Sequence, residues 1–188
     1  SCVRTPGTTF SVEISAGRIK DASRAIETAA RYCPIEVELN GELVTRLDFL
    51  EGADYVTTFE GLRIGVINAQ DRCSLYNPAI NFHGLTVPHK LPTVGEVGSQ
   101  KSWYAKIDII DCPALQLTLP ARKEVVASPF LADLDAAVEA AIYAAIAKRG
   151  HHRLPFENWC RAAALGVALP PASEGLASFV AATNDLSL

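Results

Sequence analysis

The sequence predicts an α+β fold, one mixed or antiparallel sheet with helices packed on one face. Three observations carry this. Several short runs alternate apolar with polar residues, an Asn40-Gly41 pair separates two such runs, and a long helical stripe occupies Pro129 to Arg149.

Taken in order, Thr8 to Ile14 (TTFSVEI) alternates like a strand with one buried face. Arg18 to Cys33 follows as a helix, with Ile19, Ala22, Ile26, Ala29 and Cys33 on one side and Pro34 as its stop. Ile35 to Leu39 and Leu43 to Leu47 form a hairpin across Asn40-Gly41, the strongest short hairpin signal in a sequence. Tyr55 to Phe59 and Leu62 to Ile67 pair across Glu60-Gly61. Ile80 to Val87, Trp103 to Ile110 and Leu115 to Leu119 are further strands, and Pro88 to Gln100, with its prolines and glycines, reads as a long mobile loop.

The clearest helix opens with Ser128 as N-cap and Pro129 at its first position. Asp133 and Asp135 lie early, Lys148 and Arg149 late, and Gly150 follows, all in the sense the helix dipole favours. Its inward stripe is Leu131, Leu134, Val138, Ala141 and Ala145, widened by Ile142 and Ile146. Helices near Phe156 to Leu165 and Ala172 to Ala182 complete the order β-α-ββββ…ββ-α-α-α. The division that follows is an α+β domain over residues 1–150 and a helical tail over 151–188.

Composition narrows the function classes. With 188 residues, 49% of them hydrophobic, the chain is too apolar to be disordered. Area scaling lets a chain of this mass bury about 70% of its unfolded surface. Its most apolar long stretch, Phe130 to Ala147, is interrupted by Asp133, Asp135 and Glu139, so no membrane span is expected. A net charge of −4 argues against direct nucleic-acid binding. The chain holds no methionine and begins Ser1-Cys2-Val3, which reads as a processed product, an engineered piece or part of something longer.

Most chemical motifs fail on spacing. Five cysteines (Cys2, Cys33, Cys73, Cys112 and Cys160) without a CxxC pair read as reduced thiols in a cytoplasmic-type compartment. Cys73, His83 and His89 match no common metal site, and His151-His152 reads as a cationic pair at a helix C-terminus. GxSxG is absent, and Gly95 to Gln100 lacks the Gly-Lys-Ser/Thr ending of a Walker loop. Glu36 and Asn40 have E-x-x-x-N spacing, but on a strand that puts them roughly 13 Å apart along it. No catalytic residue and no metal ligand is expected in this chain.

Two segments stand out. The first is Gly7-Thr8-Thr9-Phe10-Ser11-Val12-Glu13-Ile14, then the helix, then Pro34 to Gly41 (PIEVELNG). The second is Leu117 to Val126 (LTLPARKEVV), followed by the alanine-rich helix. Together they resemble the end of the ATP-binding domain and the following transducer domain of GHKL ATPases, nearest to the MutL-like branch. The likeness spans about residues 7–147, and only its two ends are specific.

The resemblance implies a fold like domain two of ribosomal protein S five, with a left-handed βαβ crossover and the helices 18–33 and 129–149 on one face. It implies that Gly7 and Thr8 belong to the closing strand of an upstream nucleotide-binding domain. It also implies that Arg122, with Lys123 in reserve, takes the family's phosphate-sensing lysine position. The Glu-x-x-x-Asn helix, the Asp-x-Gly-x-Gly loop and the Gly-rich lid are absent and would lie upstream of Ser1. The expected cofactors are therefore none in this chain, and ATP with Mg in a longer protein. The expected partners are the upstream ATPase domain and a second subunit in a homodimer. The rival reading is a free-standing interaction or ligand-binding domain with no nucleotide. A small-metabolite kinase of related fold is a weaker rival, because its Gly-rich Ser-Ser loop is missing.

Overall fold

Three two-residue turns set the hairpins, one in a separate two-stranded sheet and two in the main sheet. Asn40-Gly41, Glu60-Gly61 and His83-Gly84 all hold both residues at positive φ, from 44° to 99°. That is the backbone a tight hairpin needs to match the twist of its strands. The computed structural model describes residues 7–70, 79–121 and 124–172. A short 3₁₀ turn (Ala16–Arg18) leads into α1 (Ile19–Ala30), and the first turn joins β1 (Glu38–Leu39) to β2 (Glu42–Leu43). The second joins β3 (Tyr55–Phe59) to β4 (Leu62–Ala69), and the third joins β5 (Ile80–Phe82) to β6 (Leu85–Val87). β7 (Val94–Gly95), β8 (Ser102–Ile109), α2 (Phe130–Lys148) and α3 (Phe156–Ala164) follow.

The class is α+β, with a mixed six-stranded sheet and three α-helices among the described residues. Strand order is β3-β4-β8-β5-β6, with β7 beside β8; β5 and β8 are parallel and the other pairs antiparallel. Register aligns Thr57, Ile64, Ile107 and Ile80 in one row, and Phe59, Leu62, Ile109 and Phe82 in the next. α2 lies across that face of β3, β4 and β8. It buries Leu134, Val138, Ala141, Ile142 and Ile146 against the rows, much as the periodicity predicts. Leu154 and Ala162, from the segment around α3, extend the same core. Gly61 is irreplaceable on steric grounds: an added Cβ would sit 1.8 Å from the Asp111 carbonyl oxygen.

Several expectations need correction. Residues 8–14 join no strand; they run as exposed coil, paired with no strand among the described residues. The run 80–87 is a hairpin rather than one strand, since His83-Gly84 turns it. Leu115 to Leu119 contributes only a bridge between Leu117 and Val125. Ser128 makes no side-chain cap; its carbonyl accepts from the Leu131 N–H instead.

α1 does not join α2 on the sheet, and only Ala30 of it is buried. No β-α-β unit of either hand occurs among the described residues. The parallel pair β5/β8 is connected through β6 and β7, without a helix. The stretch 88–100 is anchored rather than free, with Leu91, Val94 and Glu96 buried. Of the expected helix from Ala172 to Ala182 only Ala172 is described, as an isolated bridge to His152, and Cys2 and Cys73 lie outside the described residues.

Candidate functional site

One uncovered apolar surface among the described residues is built from neighbours in sequence. Gly7 and Thr8 are exposed, as are all residues through Ile14. Paired as a strand, the segment would carry Phe10, Val12 and Ile14 on one side and Thr9, Ser11 and Glu13 on the other. The apolar side is bare, with Phe10 85% and Val12 76% exposed. Ser15 stays extended before the chain turns into α1.

On α1, Ile19, Ala22 and Ile26 share a face opposite Lys20, Arg24 and Glu27, yet both isoleucines are exposed. Ile35, Leu43 and Leu47 add to the same stretch of chain. Soluble proteins expose single apolar residues freely, but a strand-patterned run beside an amphipathic helix is a contiguous demand for cover.

This surface is held to the sheet at its far end. Tyr32 meets the edge of Phe49 with centroids 5.0 Å apart, and the Leu47 N–H donates to the Arg31 carbonyl at 2.8 Å. Cys33 sits against Gly84, where a Cβ would find its Cα at 3.0 Å. Beneath runs a polar chain on the face of the sheet away from α2. Arg63 reaches Asp48 and Asp108, each at 3.1 Å. The Asn81 amide donates to Asp108 at 2.7 Å and accepts from the Gly84 N–H at 2.9 Å. The Arg63 guanidinium, with the Leu50 N–H, holds the Asp48 carboxyl below its ordinary value. Each of these groups is engaged by a partner, so the cluster positions the segment 47–50.

Glu96 is a buried carboxylate, and it also has a mechanical role. Its Oε1 accepts from the Arg153 N–H at 2.9 Å and Arg149 Nη2 at 2.7 Å. Its Oε2 accepts from Trp103 Nε1 at 3.1 Å and Arg149 Nη2 at 2.6 Å. Burial pushes this carboxyl up, but those hydrogen bonds outweigh burial and hold it below the usual carboxylate range. A general base needs a free lone pair aimed at a substrate, and Glu96 has both oxygens occupied by the protein. It clasps the stretch 88–100 to the end of α2.

His152 is buried too, and it is not the cationic dipole partner expected from its position. Its Nδ1 accepts from the Leu154 N–H at 3.2 Å, which leaves Nε2 to donate to the Pro170 carbonyl at 2.9 Å.

A groove of about 750 Å³ opens between β3 and α2, lined by Tyr55, Thr57, Phe59, Phe130, Ala137 and Ala140 among others. Its charged lining residues are Glu60 and Asp133, and Thr57, Thr58 and Cys112 also face it among mostly apolar side chains. Among the described residues no group of His, Cys, Asp and Glu could hold a metal ion, and no helix is long and apolar enough to cross a membrane.

Of the four residues singled out in sequence, Gly7 and Thr8 belong to the bare segment, while Arg122 and Lys123 lie outside the described residues. The chain on either side of that pair is laced together. Thr118 N–H donates to the Glu124 carbonyl at 2.9 Å, and Val126 N–H to the Gln116 carbonyl at 2.8 Å. Sequence reasoning missed the Glu96 clasp, because nothing in the local pattern distinguishes a carboxylate that a distant Arg149 covers. Comparison with family models, curated proteins and solved structures finds no match for this chain.

Proposed function

We propose that this chain is the transducer portion of a GHKL-type ATP-binding protein, relaying nucleotide state from an upstream ATPase domain to partners. The observation that carries the reading is the bare segment 8–14 with its helix α1. A strand-patterned run without a sheet, followed by an amphipathic helix without a floor, fits a surface completed by another domain. The resemblance assigns that role to the same residues, Gly7 to Ile14. The buried core drawn from residues 62–162 supplies a rigid body for a relay to move.

In this reading the chain has no catalytic residue, and ATP with Mg binds upstream. Arg122, or Lys123 beside it, would meet the γ-phosphate in the ATP state alone, so the two nucleotide states would differ in that contact. The test is nucleotide binding by the product of the whole reading frame. ATP with Mg binds it, residues 1–188 alone do not hydrolyse ATP, and Arg122→Ala or Lys123→Ala slows turnover. Hydrolysis by residues 1–188 alone overturns the proposal, as does turnover unchanged in both variants. The β3/α2 groove favours a second reading, a free-standing interaction domain; failure of ATP binding by the longer protein leaves that one standing.

A further inference from the structure

The two edges of the sheet are not alike. β6 is three residues long and runs into Pro88, two devices that discourage further pairing. β3 pairs with β4 alone among the described residues, over an unbroken register from Tyr55 to Phe59. It carries no charge, no proline and no bulge, and Val56 is exposed upon it. Such an edge is a template for another strand.

We propose that β3 is a homodimer seam, pairing antiparallel with β3 of a second copy about Thr57. The reading does not depend on the nucleotide proposal. The strand is complementary to itself. That register sets Tyr55 opposite Phe59, Val56 opposite Thr58 and Thr57 opposite Thr57 of the second copy. An aromatic pair on each side and a central Thr–Thr pair are among the combinations that stabilise cross-strand neighbours. An isologous contact of this kind closes at two copies and leaves no further edge, because β6 is blunted.

The groove supplies the rest of the seam. On the α2 side of β3, Ala136, Ala137, Ala140 and Ala144 form a stripe of small side chains above Tyr55, Thr57 and Phe59. Extending the sheet across the axis brings the two stripes toward each other, and side chains this small let helices approach closely. The apolar groove is then covered by its own counterpart. Asp54 and Glu60 fall opposite each other at the ends of the paired strands, so the association is best measured at high salt.

The test is sedimentation velocity of the full chain at high salt and tens of micromolar. A species of twice the 20.2 kDa chain mass is expected. Val56→Lys, an exposed edge change, should weaken association about tenfold or more without altering the circular dichroism. Mild oxidation of Thr57→Cys should give a covalent dimer beyond the background of the native cysteines, whereas Val56→Cys, which faces Thr58, should not. A wild-type chain that stays monomeric overturns the proposal. So does a dimer that Val56→Lys leaves intact, since the copies would then meet elsewhere.

Discussion

In the stretch from Tyr55 to Arg149 the apolar sides of β4, β8 and α2 are covered, with Ile64, Ile107 and Ile142 wholly buried. In the stretch from Gly7 to Leu47 patterns of the same quality are left open: Phe10, Val12, Ile19 and Ile26 face outward. The difference is not one of local propensity. Both regions carry the periodicity of strand or helix, and only one has its partners within the described chain. Periodicity reports that a face is to be buried and is silent about what buries it.

The comparison predicts opposite responses to the same kind of substitution. Ile107→Ala or Ile142→Ala should cost about 2–5 kcal/mol in chemical denaturation, as truncations in a close-packed core do. Val12→Ser or Phe10→Ser should change the stability of this chain by less than about 0.5 kcal/mol. If the two pairs cost the same, the division into covered and open regions is wrong. Gly61→Ala belongs with the first group. Its φ of +78° and the Asp111 carbonyl leave no room for a methyl group, so a loss of about 3 kcal/mol or more is expected.

How much of this was legible in sequence follows the same line. The Asn40-Gly41 and Glu60-Gly61 turns, the stripe of α2 and the α+β class were readable, because each is written in residues close together. His83-Gly84 is a weaker turn signal than Asn-Gly or Asp-Gly, although the apolar alternation shifts phase there, from Ile80 and Phe82 to Leu85 and Val87. The alternation of residues 8–14 predicts a strand, but a strand also needs an edge, which local pattern does not supply. Glu96 was lost in a stretch of prolines and glycines, because Arg149 and Arg153, which hold it, lie more than fifty residues away. Two of the four candidate site residues, Gly7 and Thr8, fall on the open surface.

A smaller effect sharpens the contrast between an anchored loop and an open segment. Glu96→Gln should cost about 2–3 kcal/mol at neutral pH, since Arg149 loses its buried carboxylate. The sign with pH follows from the lowered value of this carboxyl. The folded state binds fewer protons than the unfolded, so the stabilisation is complete above the ordinary glutamate range and fades as pH falls through the lower folded value. Urea denaturation of wild type and Glu96→Gln across the acid range should converge on that limb. Curves that stay parallel would remove Glu96 from its clasping role. The smallest effect is expected at Asp48→Asn. That partly exposed ion pair with Arg63 should contribute about 1 kcal/mol or less.

The central claim is that the open stretch is a surface completed by an upstream domain, and amide hydrogen exchange over residues 8–30 tests it most directly. Measured in residues 1–188 alone, the amides of 8–14 should exchange near the rate of an unfolded chain while β4 and β8 are protected. Measured in the product of the whole reading frame, the same amides should become protected, and more so with ATP and Mg bound. Exchange of residues 8–14 that is equally fast in both proteins, or already slow in residues 1–188 alone, would contradict the account.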